Sequence, residues 1–133
     1  MDKYRDRAEK TLRVCRNCKD KFEFSNGAQK NCQPCIDTHG VQRLKDVWTK
    51  YGLTCSEVEE MYNHQNGKCP ICNKGVELWT GGDMMDKAVI DHCHTTGKVR
   101  GLLCQHCNRG IGLFFDMPYA LRNAANYLED NNG

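Results

Sequence analysis

Three residue patterns in this chain could do chemistry: cysteines in pairs, an adjacent aspartate and histidine, and an asparagine directly after a cysteine. Eight of the ten cysteines fall as four C-x-x-C pairs, Cys15/Cys18, Cys32/Cys35, Cys69/Cys72 and Cys104/Cys107. Two such pairs supply four thiolates, the donor set of a tetrahedral Zn2+ site, so the spacing predicts two structural zinc ions. Four sulfur ligands leave a zinc ion no open position, which makes its role architectural. Cys55 and Cys93 stand outside the pairs and read as packed thiols.

The second pattern is Asp91-His92-Cys93-His94, and the third is Cys107-Asn108. A neutral imidazole at His92 suits a general base at cellular pH. Asp91 and Asn108 offer the hard oxygen ligands that Mg2+ or Mn2+ takes, with positions left for water and phosphate. A base, one divalent ion and a scaffold holding both in line are what phosphodiester hydrolysis requires. His94 is a candidate for orienting the site or touching phosphate. Arg100 is a candidate for the scissile phosphate or for bracing the strand that carries it. His106 lies between two zinc ligands but four cysteines already complete that set, and His39 and His64 carry no signal.

These side chains need elements to hold them. Val89 to His94 alternates as a strand, Thr95 to Lys98 reads as a turn and Val99 to Cys104 as the return strand, while Cys107-Asn108 begins a short helix. Hairpin then helix above a cysteine knuckle is a ββα unit. Strand alternation alone would send Asp91 and His92 to opposite faces, so a bulge or a strand end is expected there. Trp79 to Lys87, with Gly81-Gly82, reads as a loop.

Upstream, Lys19 to Asn31 alternates Phe22 and Phe24 ahead of a Ser25-Asn26-Gly27 turn, which predicts a small hairpin inside the first knuckle. Val41, Leu44, Val47 and Trp48 recur at helical spacing over Val41 to Lys50, closed by Tyr51-Gly52. Thr54 and Glu57 form a capping box for a helix running to about Gln65, where Asn66-Gly67 ends it. A last helix is expected from about Pro118 to Glu129, with Leu121, Ala124, Ala125 and Leu128 on one face. Trp48, Trp79, Phe114 and Phe115 read as small-core residues rather than base-stacking platforms.

The chain has 133 residues, is 27% charged and 39% hydrophobic, and its mean hydropathy is -0.73. No apolar run approaches a membrane span. Met1 to Leu12 is charged and lacks the apolar region of a secretory signal, so a reducing, cytoplasmic setting is expected, in which thiolates stay available for metal. The net charge of +2 is unevenly spread: residues 1–50 hold twelve Lys/Arg against seven Asp/Glu, and residues 51–133 hold seven against ten. The basic first half points to a nucleic-acid contact there.

The run Gly67-Lys68-Cys69-Pro70-Ile71-Cys72, then Asp91-His92-Cys93-His94-Thr95-Thr96-Gly97-Lys98-Val99-Arg100-Gly101-Leu102-Leu103-Cys104, then Cys107-Asn108, resembles the phage recombination endonuclease VII family over about residues 53–115. The resemblance implies a small zinc-stabilised α+β fold with a ββα-metal (His-Me finger, HNH) nuclease core. In it His92 is the general base, and Asp91 and Asn108 hold a catalytic Mg2+. It also implies cleavage of branched DNA, such as four-way junctions, by a homodimer in a phage-type setting inside a bacterial host cell. Two positions depart from the family pattern: Cys93 stands where an Asp is common, and Arg109-Gly110-Ile111-Gly112 follow Asn108 without an acidic residue.

The expected organisation is an N-terminal four-cysteine zinc-knuckle domain over 1–40, a linker helix over 41–52 and a nuclease domain with a C-terminal helix over 53–133. Two other readings stay open. One is a nicking or homing-type HNH endonuclease on duplex DNA, and the other is a non-catalytic two-zinc nucleic-acid-binding module. Asp91, His92 and Asn108 occurring together favour the enzyme.

Overall fold

The computed structural model describes residues 12–79 and 86–131, which form two two-stranded antiparallel sheets and five helices. Most of the charged Met1–Leu12 stretch and the Gly81-Gly82 part of the expected loop lie outside the described residues. In chain order the elements are β1 (Leu12–Val14), β2 (Lys21–Glu23), α1 (Gln33–His39), α2 (Val41–Tyr51), α3 (Cys55–His64), β3 (Val89–His92), β4 (Val99–Leu103), α4 (Gln105–Leu113) and α5 (Pro118–Asn131). The chain divides into two compact units, Met1–Glu60 and Met61–Gly133.

One turn is built three times. The N–H of Cys15 donates to Asp20 O and the N–H of Lys19 donates back to Cys15 O; Cys69 with Lys74 and Asn73, and Cys93 with Lys98 and Gly97, repeat the pair of bonds at the same offsets. The fifth residue of each turn has positive φ: Lys19 69°, Asn73 61° and Gly97 75°. Glycine and asparagine tolerate that region and lysine does so at a cost, so the turn is imposed by its surroundings. At Cys15 and Cys69 the turn is a cysteine knuckle. At Cys93 it closes the β3–β4 hairpin, with Thr96 where the second cysteine would stand.

The other half of each cysteine set opens a helix. Cys32 precedes α1 with φ −68° and ψ 160°, and Cys104 precedes α4 with φ −71° and ψ 162°. Pro34 sits in the first turn of α1, where its missing N–H costs nothing. Each unit therefore pairs a knuckle turn with a cysteine at a helix start.

In unit Met1–Glu60 the sequence expectation of a hairpin within Lys19 to Asn31 is corrected. β2 pairs backwards with β1, Arg13 opposite Phe22, so the first knuckle is itself the hairpin turn and Ser25-Asn26-Gly27 lies beyond it. α2 buries Leu44 and Val47 and stops at Gly52, whose left-handed φ of 67° lets its N–H cap Trp48 O. Asn17 is buried; its Nδ2 donates to Cys35 Sγ at 3.3 Å and its Oδ1 accepts from Ser56 N–H at 2.9 Å. The capping box at the start of α3 is present: Glu57 N–H donates to Thr54 Oγ1 and Thr54 N–H to Glu57 Oε2.

In unit Met61–Gly133 the core comprises Cys69, Val76, Leu103 and Cys104, with Tyr62, Ala88, Cys107 and Ile111 packed against it. Gly67 has φ +64°, and a Cβ there would meet the Tyr62 hydroxyl at 3.0 Å, so only glycine fits both the turn and the ring. Tyr62 in turn donates to Val76 O. Phe114 and Phe115, expected in a core, are exposed, and so is Trp48 in the other unit.

Candidate active site

The Sγ atoms of Cys15, Cys18, Cys32 and Cys35 lie within 4.8 Å of one another, as do those of Cys69, Cys72, Cys104 and Cys107. Sulfurs ~2.3 Å from a tetrahedral Zn2+ stand about 3.8 Å apart. Cys18 to Cys32 and Cys72 to Cys104 are both 3.7 Å. Burial raises Cys15 and Cys69, but backbone N–H groups aimed at their sulfurs win and pull them down to about 7 and about 6. Cys18, despite a bond from the Asp20 backbone, is pushed up to about 12 by burial and its three neighbours, and burial followed by its neighbours also raises Cys107. Four thiols this close cannot all ionise without a cation, and a divalent soft-metal ion resolves that conflict. Both clusters thus have the donors and spacing of closed Zn2+ sites.

Above the second cluster, β3 and β4 pair with Asp91 opposite Gly101 and His92 opposite Val99. Arg100 is the extra residue, a bulge between those pairs, and His92 is the last residue of β3. The expected irregularity is present, carried on the partner strand. Asp91 is 7% exposed. Arg100 Nε reaches its Oδ2 at 2.7 Å and Nη2 its Oδ1 at 2.9 Å, with Asp116 Oδ2 3.4 Å from the same Nη2. The hydrogen bond to Asp91 is the largest influence raising Arg100 above its ordinary value.

His92 and His94 lie ring to ring, centroids 4.9 Å apart and planes 56° from parallel. α4 packs against β3. Its first turn is fastened by Cys104, whose Sγ accepts from Cys107 N–H and whose carbonyl accepts from Asn108 N–H at 3.0 Å. The Asn108 side chain is half-buried and makes no hydrogen bond among the described residues. The structure therefore joins Asp91 to Arg100 and His92 to His94, and brings the helix of Asn108 onto the strand of Asp91 and His92. No direct bond links Asp91 to Asn108.

Two contributors escaped the sequence reading. Gln65 Nε2 donates to Leu102 O at 2.8 Å and Gln65 Oε1 accepts from Leu102 N–H at 2.9 Å, so one side chain acts as a strand partner for β4. Gly101 permits it: a Cβ there would stand 3.1 Å from Gln65 Oε1. The second is Asp116, from the turn between α4 and α5 where Phe115 and Asp116 both have φ of 54°, whose Oδ2 lies 3.4 Å from Arg100 Nη2. Cys93 is half-buried, and hydrogen bonds from Thr96 and Thr95 lower it to about 7. Cys55 is buried in packing, as expected, which raises it to about 11.

The "Gene 59 protein" of Mycobacterium phage D29 is 38% identical over 83 residues, which cover 62% of this chain and 47% of that protein. The protein of the same name in Mycobacterium phage L5 is 35% identical with the same coverage. The match spans about half the length of these relatives. Among solved structures, the ββα-Me type II restriction endonuclease Hpy99I aligns over 90% of this chain and 66% of its own, with TM-score 0.43 and 24% identity. The family model described as recombination endonuclease VII matches residues 42–130, which takes in α3, the second four-cysteine cluster, the bulged hairpin and α4. That match covers more than half of the chain, which belongs to the recombination endonuclease VII family.

Proposed function

We propose that this chain is a metal-dependent DNA endonuclease with structure-selective action on branched DNA, in which His92 is the general base. The observation that carries the reading is the break in register between Asp91 and His92. It sets Arg100 against both oxygens of Asp91, the residue next to His92 in the chain, beside a helix whose start is fastened by the second four-cysteine cluster.

In the reaction, His92 takes a proton from a water whose oxygen attacks the phosphorus, and the bond to the 3′ oxygen breaks; that oxygen is protonated from solvent water, leaving a 5′-phosphate and a 3′-hydroxyl. Asp91 and Asn108 would hold one Mg2+ or Mn2+, which when bound would supply charge stabilisation at the leaving oxygen. The donors fit such an ion. Arg100 uses one lone-pair direction on each Asp91 oxygen and a carboxylate has about four, so others stay open, and the Asn108 amide is uncommitted. His94 buttresses the His92 ring, and Arg100 orients Asp91 with a charge left near the phosphate.

A homodimer belongs to the same proposal, supported by Leu113, Phe115, Tyr119 and Tyr127, which are all 60% or more exposed. Action in a host-cell cytoplasm follows from the phage relatives and belongs here too.

The test is cleavage of supercoiled plasmid and of a synthetic four-way junction with Mg2+ or Mn2+. Faster cutting of the junction, giving 5′-phosphate ends, is expected. Equal rates on both would move the substrate to duplex DNA, and binding without cleavage would make the chain a two-zinc binding module.

A further inference from the structure

The two cysteine units share one plan but not one chemistry. Where Asn108 follows Cys107 in α4, Ile36 follows Cys35 in α1, and both N–H groups bond back to the cysteine before their helix, Cys104 and Cys32. The first unit has therefore no amide ligand at this position. It has a groove of about 480 Å³ there instead, with Ile36 and Val41 among its apolar lining and Arg16, Lys30 and Lys45 as its charges. Among the described residues no carboxylate lines it.

The wall of this groove is built rigidly. Arg13 donates to Gly27 O and Gln29 O at 2.8 and 3.0 Å while its guanidinium lies 3.9 Å over the Phe24 ring. Asn26 Oδ1 accepts from Ala28 N–H and Gln29 Oε1 from Ser25 N–H, so these amides are spent on holding the loop. Arg16 is steadied over Trp48 at 4.4 Å. The two aromatics thus support guanidinium groups and are not open stacking platforms. What the groove offers a ligand is positive charge without an opposing carboxylate among the described residues, on a braced frame, and a phosphodiester backbone matches that chemistry.

We infer that the groove of unit Met1–Glu60 is a sequence-independent site for a DNA backbone, a non-catalytic version of the cysteine scaffold that holds substrate for the second unit. This rests on DNA being the substrate, as proposed above. Lys30 and Lys45 form no ion pair among the described residues and are the direct phosphate contacts, with Arg16 as the third.

The experiment uses the full zinc-loaded chain and a short DNA duplex, with binding followed against salt concentration in the absence of Mg2+ and Mn2+. In the double variant Lys30→Gln/Lys45→Gln the slope of log affinity against log salt is expected to shrink by about 2, at about 0.9 per phosphate contact. Affinity at moderate salt is expected to fall about tenfold, with zinc content unchanged. A control pair away from the groove, Lys21→Gln/Lys50→Gln, is expected to leave most of the slope intact. An unchanged slope in the groove variant, an equal loss in the control, or tighter binding of the matching RNA with DNA binding unaltered would each overturn the inference. A wild type that binds with this slope but never cuts would leave the groove assignment standing and remove the nuclease reading.

Discussion

Arg100 holds both carboxylate oxygens of Asp91, at 2.7 and 2.9 Å, from the bulge position directly across the hairpin. The bulge makes this possible. In unbroken register Arg100 would oppose His92, and the extra residue instead lets a planar fork meet a buried carboxylate. Lysine carries the same charge but cannot bridge two oxygens. Arg100→Lys is expected to slow cleavage about tenfold, near 1.4 kcal/mol of transition-state stabilisation. Arg100→Ala, leaving Asp91 buried without its partner, is expected to cost about 1–3 kcal/mol of stability. Nicking rates and denaturant melts check both, and a Lys variant as fast as wild type would remove the orienting role.

Gln65 supports the same strand from its other edge. Gln65→Ala leaves the N–H and carbonyl of Leu102 without their side-chain partner, and a loss of about 1–3 kcal/mol is expected. Gly101→Ala is expected to act in the same direction, because its new methyl would press on Gln65 Oε1. Combining the two substitutions is expected to cost less than the sum, since both act through one contact. Additive losses in a double-mutant cycle would contradict the shared mechanism.

Cys104 has two duties, as one of the second sulfur cluster and as the residue whose Sγ and carbonyl receive the first N–H groups of α4. Cys104→Ser is therefore expected to reduce bound zinc from two ions per chain to one and to loosen the helix that carries Asn108. Cys55→Ser is expected to keep both ions at a modest stability cost. Metal analysis after desalting separates the two outcomes, and two retained ions in the Cys104 variant would remove its assignment as a ligand.

Much of this was legible in local spacing. Four C-x-x-C pairs, the Thr54/Glu57 box, the left-handed Gly52 and the alternating hairpin each encode structure within a few residues. The pairing of β2 with β1 was hidden because the knuckle Cys15–Cys18, read as a metal turn, is also the hairpin turn. Gln65 and Asp116 were hidden for another reason: local patterning marks the one as a helix end and leaves the other ahead of a helix, and says nothing of distant partners. Their partners, Leu102 and Arg100, lie 37 and 16 residues away. The aromatic residues Trp48 and Phe115 were misread because hydrophobicity alone does not say whether a helix face finds cover.

The central claim is that His92 is the base, and it is tested most directly by cleavage with zinc content held constant. His92→Ala, shown by metal analysis and circular dichroism to keep both zinc ions and the wild-type fold, is assayed beside wild type on a four-way junction in Mg2+. The expected result is wild-type cutting with a loss of at least about a hundredfold in the variant, the range of general-base removal. A variant that cuts at the wild-type rate would contradict the assignment and with it the account of the site.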